Sequence, residues 1–235
     1  VPEHIFFDLD HTLWDFTANS REALSDLYTE FNLAEKKVDL SGFISQYEYQ
    51  NERCWARYRE NKMRKAYLNY QRFYLTLSDF GLQDRWLARQ MGRAYLELSP
   101  QKLKLIPNAI DVLNALSGKA NLHIITNGFQ EIQHQKIQRT GLSPFFQQVI
   151  TSERASAKKP SARIFNLAMK LTDAQPNNCL MIGDDLNTDI EGASQVGWKT
   201  IWFNRKNQEF NQNAIPKDTR VINSLLSIPN LIKNI

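Results

Sequence analysis

Four short apolar runs punctuate the chain: Ile5 to Leu9, Leu122 to Thr126, Cys179 to Ile182 and Thr200 to Phe203, with Gln148 to Thr151 as a weaker fifth. None alternates strictly between apolar and polar positions. Each is followed by polar or glycine-containing residues and then by apolar residues at helical spacing. Strands buried on both faces and interleaved with helices predict an α/β fold, a parallel sheet covered by helices on both faces. Helix punctuation agrees. Pro107 and Asn108 precede "NAIDVLNALSG", which Gly118 closes, and Ser161 precedes "ARIFNLAMKLT", where Ile164, Leu167, Ala168 and Leu171 share one face.

Residues 16 to 98 are of another kind. They show helical periodicity, many aromatics and no convincing strand, with breaks expected near "LAEKKVDLSG" and "DFGLQDR". The expected organisation is therefore a core domain of residues 1–15 and 99–235, interrupted by an all-helical insertion of residues 16–98. The stretch "NQNAIPKDTR" is expected to be a surface loop leading to a last short helix.

Composition narrows the function classes. The chain has 235 residues, 42% hydrophobic and 23% charged, ordinary values for a soluble globular protein. Its net charge of +4 is scattered, without the basic stripe of a nucleic-acid binder, so no nucleic-acid partner is expected. Cys54 and Cys179 lie in unrelated contexts and suggest neither a disulfide nor a zinc site. No apolar run approaches the roughly 18–20 residues of a membrane span, and no signal-peptide pattern opens the chain. The expectation is a cytoplasmic protein without a membrane partner; its oligomeric state is left open.

Ligands of open parallel sheets bind beyond the carboxyl ends of the strands, so polar residues there converge although distant in sequence. Here these are Asp8 and Asp10; Thr126, Asn127 and Gly128; Lys158 or Lys159 before Pro160; and Asp184, Asp185 and Asp189 in "GDDLNTD". Several carboxylates without a histidine favour a hard cation, Mg2+ in particular, which is held by one or two carboxylates plus a substrate phosphate. A bound cation would also make aspartates tolerable at the end of a buried strand.

The four patches, "DLDHT", "TNG", "KKP" and "GDDLNTD", resemble in order the four motifs of the haloacid dehalogenase (HAD) superfamily. The resemblance covers nearly the whole chain. It implies a Rossmann-like core, a helical cap inserted after the first motif, and an Mg2+-dependent phosphomonoesterase acting through an aspartyl-phosphate. Carried onto this sequence, it implies Asp8 as nucleophile and Asp10 as general acid/base. Thr126 and the backbone N–H of Asn127 would hold phosphate oxygens, and Lys159 would offset charge on the transferring group. The metal would be held by Asp8, the backbone carbonyl of Asp10, and Asp184. Asp185 is an alternative second ligand, whereas Asp189 is expected to orient the ligands. Thr12 is expected to brace the loop, and His11 occupies a variable position outside the chemistry. Dehalogenases of the superfamily lack the second aspartate of the first motif, so Asp10 favours phosphoryl transfer.

"TNGFQEIQHQKIQRTGL" and "GDDLNTDIEGASQVGWKTIWFN" also resemble the pyrimidine-preferring 5'-nucleotidase subgroup, which implies a nucleoside 5'-monophosphate as the small-molecule partner. A sugar-phosphate phosphatase, a β-phosphoglucomutase-like mutase and a catalytically silent binding protein are the alternatives. The cap segment rich in Tyr, Trp and Arg could stack a base, but Tyr47, Trp55, Tyr58, Tyr70, Phe73 and Leu77 are expected mainly to pack the cap's own helices.

Overall fold

A computed structural model of the chain describes residues 2–211 and 215–234. It divides into two units, one of Val1–Phe16 with Leu103–Ile235 and the other of Thr17–Lys102.

Among the described residues the first unit is built on six strands: β1 (His4–Phe7), β2 (Asn121–Thr126), β3 (Gln148–Thr151), β4 (Cys179–Gly183), β5 (Lys199–Phe203) and β6 (Arg220–Ile222). All pair in parallel, in the order β3-β2-β1-β4-β5-β6. Five strands lie where the apolar runs are. The sixth begins at Arg220, the last residue of the segment expected to be a surface loop, and runs on to Ile222; residues 212–214 of that segment lie outside the described residues. β6 has three residues and a single buried position, Ile222, so it carries almost no hydrophobic pattern.

Alternation on β1 shows why the sheet is covered on both sides. Ile5 and Phe7 join one apolar cluster with Val112, Leu113 and Leu116 of the first core helix and Ile137 further along. Phe6, between them, joins a second cluster with Ile164, Phe165 and Ala168 on the other face. In chain order, the helices of the second unit are α1 (Phe16–Glu30), α2 (Leu40–Arg59), α3 (Lys65–Asp79) and α4 (Arg85–Leu98), and the core helices are α5 (Ala109–Leu116), α6 (Gln130–Arg139), α7 (Ser152–Ala155), α8 (Ala162–Thr172), α9 (Gly192–Gln195) and α10 (Ile228–Leu231). Ser161 caps α8 by accepting from Arg163 N, as its position before the periodic run suggests.

The strand order reverses beside β1: the chain runs outward through β2 and β3, then returns to place β4 on the other side. His4–Phe7 is in register with Asn121–Ile124 and with Cys179–Ile182. Residues following β1, β2 and β4 consequently emerge side by side at the switch point, where such sheets bind ligands.

In the second unit α2 packs on α3 and α3 on α4 around Leu24, Phe43, Tyr47, Phe73, Leu77 and Met91. Tyr47, Phe73 and Leu77 are fully buried and Tyr58 nearly so, so these four pack the helices that carry them. Trp55 and Tyr70 are half-buried. Asp39 and Asp84 cap α2 and α4, accepting from Gly42 N and Leu87 N, which fixes the two breaks visible in the sequence. A third break, at residues 60–64, lacks a glycine or proline signal; there Asn61 takes a left-handed backbone with φ 60°. Buried Arg72 bonds Asn51 Oδ1 at 3.0 Å and lies over the Tyr95 ring at 4.7 Å.

Candidate active site

Asp8 follows β1 immediately, and its N–H still donates to Ile182 O of β4 at 2.9 Å, so the carboxyl leaves a rigid strand end. Lys159 enters from the turn before α8, buried, with Nζ donating to Asp8 Oδ1 at 2.5 Å and to Ile125 O at 2.9 Å. It also lies 2.5 Å from Asp189 Oδ1. Lys158, the other candidate, is only half-buried. The turn is held from β2: Asn127 donates through Nδ2 to Lys159 O (3.1 Å) and accepts at Oδ1 from Lys159 N (2.8 Å).

Asp184 comes off β4, its carbonyl accepting from Trp202 Nε1 at 2.9 Å and its Oδ1 from Thr12 Oγ1 at 3.2 Å. Carboxyl oxygens of Asp8, Asp184 and Asp189 all lie within 4.8 Å of one another. Asp189 can approach because residue 183 is glycine; a Cβ there would fall 2.2 Å from Asp189 Oδ2. Asp185 is used differently. Its Oδ1 accepts from Asn187 N and Thr188 N at 3.0 Å each, capping a π-helical turn at Leu186–Glu191. Asp185, expected as an alternative second ligand, shapes the turn instead, and Asp189, expected only to orient the ligands, joins the cluster itself.

The electrostatics are those of a crowded buried acid cluster. Burial, opposed by Lys159 and reinforced by Asp189, pushes Asp8 up to about 7. Burial followed by the charge of Asp8 raises Asp184 well above the usual range, and burial raises Asp189. Burial also pulls Lys159 down, but Asp189 and Asp8 together outweigh it and raise its pKa. Three carboxylates against one ammonium leave surplus negative charge, and the donors are all oxygen. The cluster can hold a metal, and its chemistry suits a hard divalent cation.

Asp10 is placed by α6 and the loop after β1. Gln133 Nε2 donates to Asp10 Oδ2 at 2.9 Å and to Thr126 Oγ1 at 2.7 Å, and Lys136 Nζ donates to Asp10 Oδ1 at 2.5 Å. Thr126 Oγ1 also accepts from Gly128 N at 3.1 Å, which leaves its own proton to be donated. His11 sits at φ 66° with its ring against Phe16, 4.8 Å between centroids. Gln133 and Lys136 were not among the residues expected from the sequence. Their signal was two polar residues three apart on a helix, sharing the buried face with Ile137.

A family model described as haloacid dehalogenase-like hydrolase matches residues 2–197. The chain belongs to that family. The HAD hydrolase is 28% identical over 235 residues to pyrimidine 5'-nucleotidase YjjG of Escherichia coli, covering 97% of this chain and 96% of that one. It is 33% identical over 215 residues to pyrimidine 5'-nucleotidase PynA of Streptococcus pneumoniae, covering 90% and 88%. Among solved structures, the magnesium-bound HAD-hydrolase YfnB of Bacillus subtilis superposes with a TM-score of 0.87 at 27% identity, covering 98% of each chain.

Proposed function

We propose that this HAD hydrolase is an Mg2+-dependent phosphomonoesterase acting on nucleoside 5'-monophosphates, with a preference for pyrimidines. The observation that carries the chemistry is the meeting of Asp8 with Asp184, Asp189 and Lys159 at one strand end. Support for the nucleotide comes from the names of YjjG and PynA.

In this mechanism an Asp8 carboxylate oxygen attacks phosphorus and the bond from phosphorus to the ester oxygen breaks, giving an aspartyl-phosphate. Asp10 passes a proton to the departing oxygen. It then takes a proton from water as that water attacks phosphorus, which releases inorganic phosphate and restores Asp8. Thr126 has a proton to donate to a phosphate oxygen, the N–H of Asn127 supplies another donor, and Lys159 opposes the growing negative charge. Asp8, the backbone carbonyl of Asp10, and Asp184 would hold Mg2+, with Asp189 beside them. When bound, the ion neutralises carboxylate and phosphate charge.

The test is phosphate release from UMP, dUMP, dTMP and a panel of hexose phosphates, with and without Mg2+, for wild type and Asp8→Asn. Mg2+-dependent turnover fastest on the pyrimidine nucleotides and abolished in Asp8→Asn is expected. Hexose phosphates turning over far faster than every nucleotide would overturn the substrate assignment, and near wild-type activity in Asp8→Asn would overturn the nucleophile.

A further inference from the structure

Helix α6 buries two side chains that a packing helix has no reason to bury, Gln133 and Lys136. Both converge on Asp10. Each oxygen of that carboxyl receives its own donor, Lys136 Nζ on Oδ1 and Gln133 Nε2 on Oδ2. We propose that Lys136 and Gln133 are positioning residues that fix the Asp10 carboxyl for proton transfer to the leaving-group oxygen. The proposal deepens the mechanism above and rests on the acid/base role given there to Asp10.

The clamp is built from rigid parts. Lys136 Nζ lies 3.8 Å from the centre of the Trp14 ring, so the ammonium is held between an aromatic face and a carboxylate. Trp14 is itself fully buried, and its N–H donates to Leu9 O while its carbonyl accepts from His11 N, which ties it to the loop that carries Asp10. Gln133 reaches two groups at once, linking Asp10 to the Thr126 hydroxyl. It fits because residue 128 is glycine; a Cβ there would lie 2.1 Å from Gln133 Nε2.

Gln133 also leaves its Oε1 buried without a hydrogen-bond partner. An orphaned buried acceptor is destabilising, and an apolar residue of the same size would remove the penalty. The amide at this position is therefore explained by the two donations it makes. Two donors on two oxygens restrict rotation of the carboxyl, which is what a proton donor needs if it is to meet a leaving oxygen in one geometry.

Leaving-group dependence separates positioning from general support of the fold. A p-nitrophenolate departs without a proton, whereas an alkoxide needs one, and kcat/KM reports the step in which the leaving group departs. Wild type, Lys136→Met, Lys136→Arg, Gln133→Leu and Asp10→Asn are assayed on p-nitrophenyl phosphate and on an alkyl ester, UMP or glucose 6-phosphate, whichever wild type turns over. General acids contribute about 100- to 10,000-fold, so Lys136→Met and Gln133→Leu should lose about 10- to 100-fold in kcat/KM on the alkyl ester but less than about threefold on the aryl ester. Lys136→Arg should recover most of the loss. If Asp10→Asn shows this asymmetry and the clamp variants, folded by circular dichroism, lose both esters equally or neither, the clamp is overturned alone. If Asp10→Asn shows no asymmetry, its acid role is overturned and the clamp with it. Should Lys136→Met not fold, Gln133→Leu and Lys136→Arg decide.

Discussion

Lys159 Nζ and Asp8 Oδ1 lie 2.5 Å apart, both groups buried at the end of the central strand. Lys159 sets its ammonium against two acids of the three-acid cluster, and its removal leaves buried carboxylates uncompensated. Breaking a buried pair of this kind costs about 3–5 kcal/mol. Lys159→Met should unfold at lower denaturant in Mg2+-free buffer, with part of the loss restored by added Mg2+, and should hydrolyse phosphate esters about 100- to 1,000-fold more slowly. Chemical denaturation with and without Mg2+, alongside steady-state kinetics, checks both; a variant as active as wild type would remove Lys159 from the mechanism.

The acid cluster should make the protein respond to Mg2+ in a pH-dependent way. Asp8 and Asp184 are raised above their unfolded values, Asp8 to about 7. Each therefore takes up protons on folding; the contribution of Asp8 in Mg2+-free protein is fully present below about pH 4 and fades as pH rises through about 7, and Asp184 acts in the same direction. Cation binding needs the ionised forms and competes with those protons. Mg2+ should accordingly raise the unfolding temperature more at pH 8 than at pH 5.5. A ligand at 100 times its dissociation constant stabilises by about 2.7 kcal/mol. Asp184→Asn should lose most of that shift, and a shift unchanged in Asp184→Asn would exclude this carboxyl as a ligand. Gly183→Ala, whose Cβ would strike Asp189 Oδ2, should weaken the same response.

Most of the sheet was legible because a strand buried on both faces writes an uninterrupted apolar run, as in "HIFF" and "CLMIG". β6 was not, since one buried residue in three is no pattern. The break at residues 60–64 was missed for a related reason: Asn61 adopts the left-handed turn that a glycine would have advertised. At the site, residues that follow strands were readable from position and charge. Gln133 and Lys136 were not, because a glutamine and a lysine on a helix look solvated until the structure shows a carboxylate opposite them. Asp185 and Asp189 take places other than those the sequence suggested, Asp185 as possible ligand and Asp189 as orienting residue; a one-turn difference along the chain decides which caps a turn and which enters the cluster.

In the helical unit, α4 approaches α3 through Gly92. A Cβ on residue 92 would lie 2.5 Å from Asn69 O and 3.2 Å from Asn69 C, backbone atoms that cannot swing aside. Although alanine raises helix propensity by about 1 kcal/mol over glycine, overpacking a rigid contact costs about 1–3 kcal/mol, so Gly92→Ala should be net destabilising. Thermal unfolding followed by circular dichroism should show a lower midpoint for this variant, and an increase would mean the two helices separate without penalty.

His123 gives an acid-side prediction of opposite sign to the carboxylates. It lies on β2, buried, with its ring 4.7 Å from that of Phe6 and its Nε2 3.2 Å from His4 Nδ1. Burial, followed by the neighbouring His4, lowers its pKa to about 4 from 6.5. The unfolded chain binds the proton that the folded one refuses, so the stability carried by neutral His123 is complete above about pH 6.5 and is lost as pH falls toward 4. The gap corresponds to up to about 3 kcal/mol. His123→Gln keeps a hydrogen-bonding group beside His4 but does not titrate. Wild type minus His123→Gln should therefore lose stability between pH 6.5 and 4 in denaturant titrations, while the difference stays flat from pH 7 to 8. A flat difference across the acidic window would mean that His123 accepts its proton in the folded protein, with the strand opening locally to admit it.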